Sequence, residues 1–280
     1  MYKRQVLASA ARRDFGEADV SQVLKAWKLL SRAWERIPIS HILFGERNGY
    51  MKGPFWLGPA HPLIFDVQRD YGLSRKFARC DPGQPFAVKP TASLSPHAHA
   101  PHAFCSDLLF TYPFTPATVE ETLCRAVSTW NLGLHLLEQA MGPKPVSRAT
   151  MELDVGRTLS AILRSAWNVV RFYRARETLF GSKGDLPSLH RQILKLQRII
   201  DDEVVNARRL IPILERDPRL GNNPLYGTAF DTAMIQEKIR QCLYVRNSEL
   251  PFLIRYLMRF NFLENDLPKK FLIEERNENG

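Results

Sequence analysis

Between residues 117 and 260 apolar side chains return every three or four positions, and this constrains the chain more than anything else in it. A period near 3.6 residues belongs to a helix that buries one face. The first such segment runs from 117 to about Met141, with Thr115 or Thr118 ahead of Glu120 and Glu121 as its cap and Gly142-Pro143 as its stop. The second, about Ala149 to Leu179, carries Leu153, Leu159, Ile162, Leu163, Ala166, Val169, Val170 and Tyr173 as its buried stripe. Gly181 to Asp185 is a turn, and Asp185 with Pro187 signals a new start. The third carries Leu189, Ile193, Leu196, Ile200, Val204, Ala207, Leu210 and Leu214 and ends near Asp217. Asp231 then caps a helix to about Val245, and a last one spans about Glu249 to Phe260. Long helices joined by short turns predict an all-α fold, an antiparallel helical bundle.

The N-terminal 36 residues form a helical pair, 3–14 and 18–36. Phe15-Gly16 closes the first helix, and Asp19 or Ser21 caps the second. Residues 37–116 differ: prolines and glycines recur, periodicity fades, and Phe55, Trp56, Phe65, Phe104, Phe110 and Tyr112 are spread through them. A structureless stretch this long is unusual inside a compact domain. Its aromatics favour an irregular Pro/Gly-rich insertion packed on the bundle. The division expected is therefore 1–36, 37–116, a bundle at 117–263 and a charged tail at 264–280, together one domain.

With 280 residues the chain can bury a core without disulfide or metal staples. Cys80, Cys105, Cys124 and Cys242 are widely spaced, with no CxxC pair, and read as free thiols. No apolar run suits a signal peptide, and 250–263 is too short and too interrupted by Arg255 and Arg259 to span a bilayer. The expected setting is cytoplasmic, without membrane association. A net charge of +10 suits anionic partners such as nucleic acid, but the basic residues are interleaved with acids.

Four clusters bear on chemistry. His97, His99 and His102 could present imidazoles to a metal, yet no Cys, Asp or Glu stands beside them at a ligand spacing, so no metal site is assigned. In Gly53-Pro54-Phe55-Trp56-Leu57-Gly58-Pro59-Ala60-His61-Pro62-Leu63, the glycines and prolines fix a loop shape. Trp56 could stack on a sugar and His61 could hydrogen-bond a hydroxyl; the plainer reading is that Phe55, Trp56 and Leu63 anchor the loop. Glu215 and Asp217 point to opposite sides of a helix and cannot pair as acid and base, whereas Asp217 and Arg219 can form an ion pair that shapes a turn. Arg171, Arg174, Arg176, Lys195, Arg198, Arg208 and Arg209 could make a basic face, interrupted by Glu177, Asp201, Asp202 and Glu203, and read as a solvated surface with i,i+4 pairs. There is no phosphate-cradling glycine loop, nucleophile elbow or HExxH, so no catalytic residue and no cofactor is assigned.

Several segments in order carry a family resemblance: Ala10-Ala11-Arg12-Arg13-Asp14-Phe15-Gly16, the helix with Ala26-Trp27 and Ala33, and Ile37-Pro38-Ile39-Ser40. The loop 53–63 follows, and then Asn206-Ala207-Arg208-Arg209-Leu210 leading to Glu215, Asp217, Arg219, Leu220 and Gly221. Over about two thirds of its length the chain resembles the C-terminal helical region of bacterial glycoside-hydrolase-like proteins, those related to α-glucuronidases and β-hexosaminidases. In such proteins the helical region follows a (β/α)₈ barrel that holds the catalytic carboxylates. The barrel has no counterpart here, so the chain is expected to be a separately encoded or truncated C-terminal portion. Where relatives continue from the Arg-Leu-Gly turn with a His and a Glu, this chain has Asn222-Asn223-Pro224-Leu225-Tyr226-Gly227.

The resemblance implies a non-catalytic module of a carbohydrate-active system, docking on a barrel-type glycosidase partner and shaping a glycan-binding cleft. Trp56 and His61 would touch the ligand, and Asp217 and Arg219 would hold the nearby turn. Two other classes stand beside it: a helical scaffold for an anionic partner such as nucleic acid, and an autonomous hydrolase using Glu215, Asp217 or His61.

Overall fold

Asp19, Thr115 and Asp231 stand in extended backbone just before a helix, and each accepts a hydrogen bond from an amide of the first turn. These caps fix three helix starts in a computed structural model that describes residues 2–16, 18–37, 59–65, 114–141, 147–181, 186–223 and 228–260. The elements are α1 (Tyr2–Phe15), α2 (Val20–Glu35), α3 (Pro116–Ala140), α4 (Ser147–Gly181), α5 (Leu186–Arg216), α6 (Thr232–Tyr244) and α7 (Leu250–Phe260). A 3₁₀ turn (Pro218–Gly221) and a two-residue antiparallel pair, β1 (Asn222–Asn223) with β2 (Thr228–Ala229), link α5 to α6. The chain is all-α. Most of 37–116, including Trp56 and the His97, His99 and His102 cluster, lies outside the described residues, as does the tail 264–280.

The partners named across each helix pair run in opposite order, which makes the neighbours antiparallel. Along α4, Asp154, Ser165 and Arg171 meet Arg216, Glu203 and Asp202 of α5. Across α3 and α4, Glu120 meets Arg174 and Glu138 meets Arg157. Glycine sets the spacing at two crossings. A Cβ on Gly133 would lie 3.0 Å from Leu30 of α2, and one on Gly156 would lie 2.5 Å from Leu134 of α3. Beside Gly156, the Trp130 indole donates to the Gly156 carbonyl at 2.9 Å.

Ala166, Val169, Val170, Phe172 and Tyr173 of α4 are buried against Ile193, Leu196, Ile200 and Leu210 of α5, with Ile235, Cys242 and Leu253 closing the far side. A second cluster joins Ala11, Phe15, Val23 and Ala26 to Leu137 and Leu153. The N-terminal pair thus packs on the bundle through α2 and α3. α1 ends where Gly16 takes φ 62° and its amide bonds back to Arg12, a left-handed cap that glycine adopts without strain.

The two late helices are continuous, where a break near 245–249 was expected. A wide π turn, Val245–Glu249, joins α6 to α7, and the Leu250 amide bonds to the Val245 carbonyl five residues earlier. Pro251 has no amide hydrogen to give, and one widened turn lets the helix carry on past it.

Residues 59–65 enter the core as an extended strap whose backbone is satisfied by side chains. Gln241 accepts from the Leu63 amide at 3.2 Å and donates to its carbonyl at 2.6 Å, much as a neighbouring strand would. The Tyr173 hydroxyl donates to the Pro62 carbonyl and accepts from the Ile64 amide, both at 3.1 Å. Arg176 donates to the Phe65 carbonyl at 2.6 Å.

Candidate functional site

Two polar features stand out among the described residues, one open and one sealed. The open one is a groove of about 600 Å³ where the first turns of α4 meet the end of α5. Ser147, Thr150, Met151 and Asp154 form one wall, and Arg216, Asp217, Pro218 and Arg219 form the other. Its volume falls within the range of small-ligand sites, about 300–1,000 Å³.

Two carboxylate–guanidinium pairs define the groove. Asp217 accepts from the Arg219 amide at 3.1 Å and from both Nε and Nη2 of its side chain at 2.7 Å. Pro218 between them holds the turn that brings the fork back on its own carboxylate. The Arg219 hydrogen bonds hold the Asp217 carboxyl below the usual carboxylate range, and Asp217 in return raises the guanidinium. Asp154, nearly buried, takes Arg216 Nη2 at 2.9 and 3.0 Å and Arg157 Nη1 at 3.5 Å. Arg219 and Arg216 remain open to solvent, with side-chain exposures of 77% and 54%. The groove therefore offers fixed acceptors and outward-facing donors. Both of its carboxylates are committed to arginine, which disfavours either one as a proton shuttle.

The sealed feature lies in the middle of the bundle. Glu203 is wholly buried and bonds Ser165 Oγ at 2.6 Å, Asn168 Nδ2 at 2.8 Å and the Lys238 ammonium, itself wholly buried. Asn206 donates to Ser165 Oγ at 3.0 Å, and Arg171 donates to Asn168 Oδ1 at 3.0 Å. This network connects outward to Asp202, which takes Arg164 at 2.6 Å and Arg171 at 3.3 Å. The two guanidiniums lie 4.8 and 4.2 Å from the ring centre of Trp167.

Asp217 and Arg219 are thus brought together as an ion pair at a turn. His61 is elsewhere: half-buried in the strap, its ring edge-on to Tyr173 with centroids 6.4 Å apart. Tyr173 and Asp154 are nineteen residues apart on α4, which at about 1.5 Å per residue puts His61 roughly 28 Å from the groove. One cleft does not gather them, and Trp56 lies outside the described residues. Glu215 is exposed on the last turn of α5 and is not among the groove-lining residues.

The expected basic face is revised in three places. Arg176 is buried and serves the strap, Arg174 is paired with Glu120, and Glu203 faces the core. The ion pairs of Asp202 and Asp201 run between helices, to Arg164, Arg171 and Arg246, where i,i+4 pairs were expected. Sequence reading missed Asp154, Arg216 and the Glu203–Lys238 pair. For the Glu203–Lys238 pair the signal was present: Glu203 falls in register with Ile199, Ile200 and Ala207, and Lys238 with Ile235 and Cys242, so both charges occupy core positions of their helices.

Among the described residues no helix is long and apolar enough to cross a membrane, and no group of three or more His, Cys, Asp or Glu could hold a metal ion. No family model, no curated protein and no solved structure matches the chain.

Proposed function

We propose that the chain is a non-catalytic helical module of a carbohydrate-active system and that the groove between α4 and α5 is its glycan-contacting surface. The observation that carries this is the pair of arginine–carboxylate forks lining one open groove, Asp217–Arg219 and Asp154–Arg216. Adjacent sugar hydroxyls each donate and accept, so a rigid surface with acceptors and donors side by side suits them. Met151 and Pro218 supply apolar surface for the carbon faces of a ring. The resemblance to the helical regions of glycoside-hydrolase-like proteins supports the same reading and supplies the barrel-type partner. An autonomous hydrolase fits poorly, because both carboxylates in the groove are bound by guanidinium and Glu215 lies outside it.

The test is calorimetric titration of the folded chain with a panel of neutral and acidic oligosaccharides. At least one should bind saturably, and Arg219→Ala should weaken it about tenfold by removing charge-assisted hydrogen bonds. An unchanged affinity in Arg219→Ala, or no binding across the panel, would remove the groove from this role.

A further inference from the structure

The groove is one end of a longer surface. Lys195, Arg198, Asp202, Val205, Arg209 and Arg216 follow one another on α5 at steps of three, four and seven residues, so they form one line along the helix. Lys195, Arg198 and Arg209 are exposed, and among the described residues they enter none of the ion pairs that hold the neighbouring charges. The one acid on the line, Asp202, is shared by Arg164 and Arg171, so that point also carries a surplus of positive charge. Asp201 lies off the line and is bound by Arg246. The line ends at Arg216, which lines the groove. From Lys195 to Arg216 it spans twenty-one residues, roughly 31 Å of helix.

We infer that the glycan is acidic, a chain bearing carboxylate or sulfate groups that lies along this line and reaches into the groove. The inference rests on the glycan reading above and adds the chemical class of the ligand. A neutral chain would gain nothing from Lys195, Arg198 and Arg209, whereas a polyanion releases counterions when it meets three unneutralised cations. Exposed Val205 leaves an apolar step between the cations, against which a ring face can lie. Guanidinium groups bind oxyanions through paired donors, which suits both carboxylate and sulfate.

The experiment compares four size-matched probes against the full chain at low salt: an oligogalacturonate, a sulfated heparin-derived oligosaccharide, a neutral cello-oligosaccharide and a single-stranded DNA oligomer. Either acidic oligosaccharide should bind at least tenfold more tightly than the neutral one. The triple variant Lys195→Gln, Arg198→Gln and Arg209→Gln should lose about tenfold on the acidic probe and little on the neutral one, since exposed charge contacts are individually weak and add up over three sites. Stronger binding of the oligogalacturonate assigns the line to carboxylate, and stronger binding of the heparin fragment assigns it to sulfate. Lys25→Gln, Lys28→Gln and Arg32→Gln on exposed positions of α2 remove the same charge elsewhere and should change neither affinity. Equal binding of acidic and neutral probes overturns the inference and leaves the groove reading standing. Equal losses in the two triple variants also overturn it, because net charge alone would then explain the binding. Binding of the DNA alone, lost in the α5 variant, overturns both readings in favour of a nucleic-acid surface, and no binding at all overturns both.

Discussion

Lys238 and Glu203 show what one charge costs when its partner is removed inside a core. Both side chains are wholly buried, and Ser165 and Asn168 complete the carboxylate's hydrogen bonds. Replacing Lys238 with Met leaves the carboxylate buried without its cation, and urea unfolding should show a loss of about 3–5 kcal/mol. The double variant Glu203→Gln with Lys238→Met keeps a polar group for Ser165 and Asn168 and should recover much of that loss; failure to recover would mean that the ammonium matters for more than neutralisation. Gly221 is a second residue with no freedom, for a geometric reason. A Cβ there would stand 2.0 Å from the Phe230 carbonyl oxygen, while the Gly221 carbonyl accepts from the Phe230 amide at 2.8 Å. Backbone on backbone cannot yield as a side chain can, so Gly221→Ala should open the turn that positions Arg219. The expected outcome is a lower melting temperature together with weaker saccharide binding.

At the scale of elements, the strap depends on a few hydroxyl and amide contacts. Tyr173→Phe keeps the ring packed against Phe172, at 5.3 Å, but removes the hydroxyl that serves both Pro62 and Ile64. Two buried backbone groups lose their partner, so denaturant unfolding should show a loss of about 1–3 kcal/mol. A loss no larger than that of an exposed substitution would mean that water replaces the hydroxyl. The helices themselves were readable in advance. Thr115, Asp19 and Asp231 are short polar side chains ahead of apolar periodicity, and each cap works locally. The strap was not readable, because its bonds join Leu63 to Gln241, 178 residues away, and such a pairing leaves no periodic trace near either residue. The continuity of α6 with α7 was hidden for a related reason: Pro251 signals a break, and only the wide turn before it shows how the break is avoided. In the groove, Asp217 and Arg219 were legible because they are neighbours in sequence. Asp154 and Arg216 were not, since they meet only when α4 and α5 pack.

For the whole molecule, the location of Cys242 makes it a reporter of cooperative unfolding. Its thiol lies within the main core beside Gln241, and burial pushes its pKa up to about 12, so almost no thiolate exists at neutral pH. The reagent must wait for the core to open, and labelling of the Cys242 peptide, followed by mass spectrometry, should keep pace with global unfolding in denaturant. Cys124, half-buried on α3, provides an internal comparison and should react sooner. Acid acts on the same equilibrium through carboxylates. Asp14, Asp19 and Asp217 are all held below the usual carboxylate range, Asp14 chiefly by Arg13, Asp19 chiefly by its hydrogen bond with Ser21, and Asp217 chiefly by Arg219. A depressed folded-state pKa means that the stabilisation is complete above the unfolded carboxylate value, near 3.8, and disappears as pH falls through the lower folded value. Stability contributed by these three groups should therefore be flat from neutral pH down to about pH 5 and decline below about pH 4. If the Cys242 labelling rate at a fixed denaturant concentration, taken relative to that of a free thiol at the same pH, rises over that acid window, these carboxylates and the core belong to one cooperative unit. A rise already near pH 6 would instead point to a different titrating group.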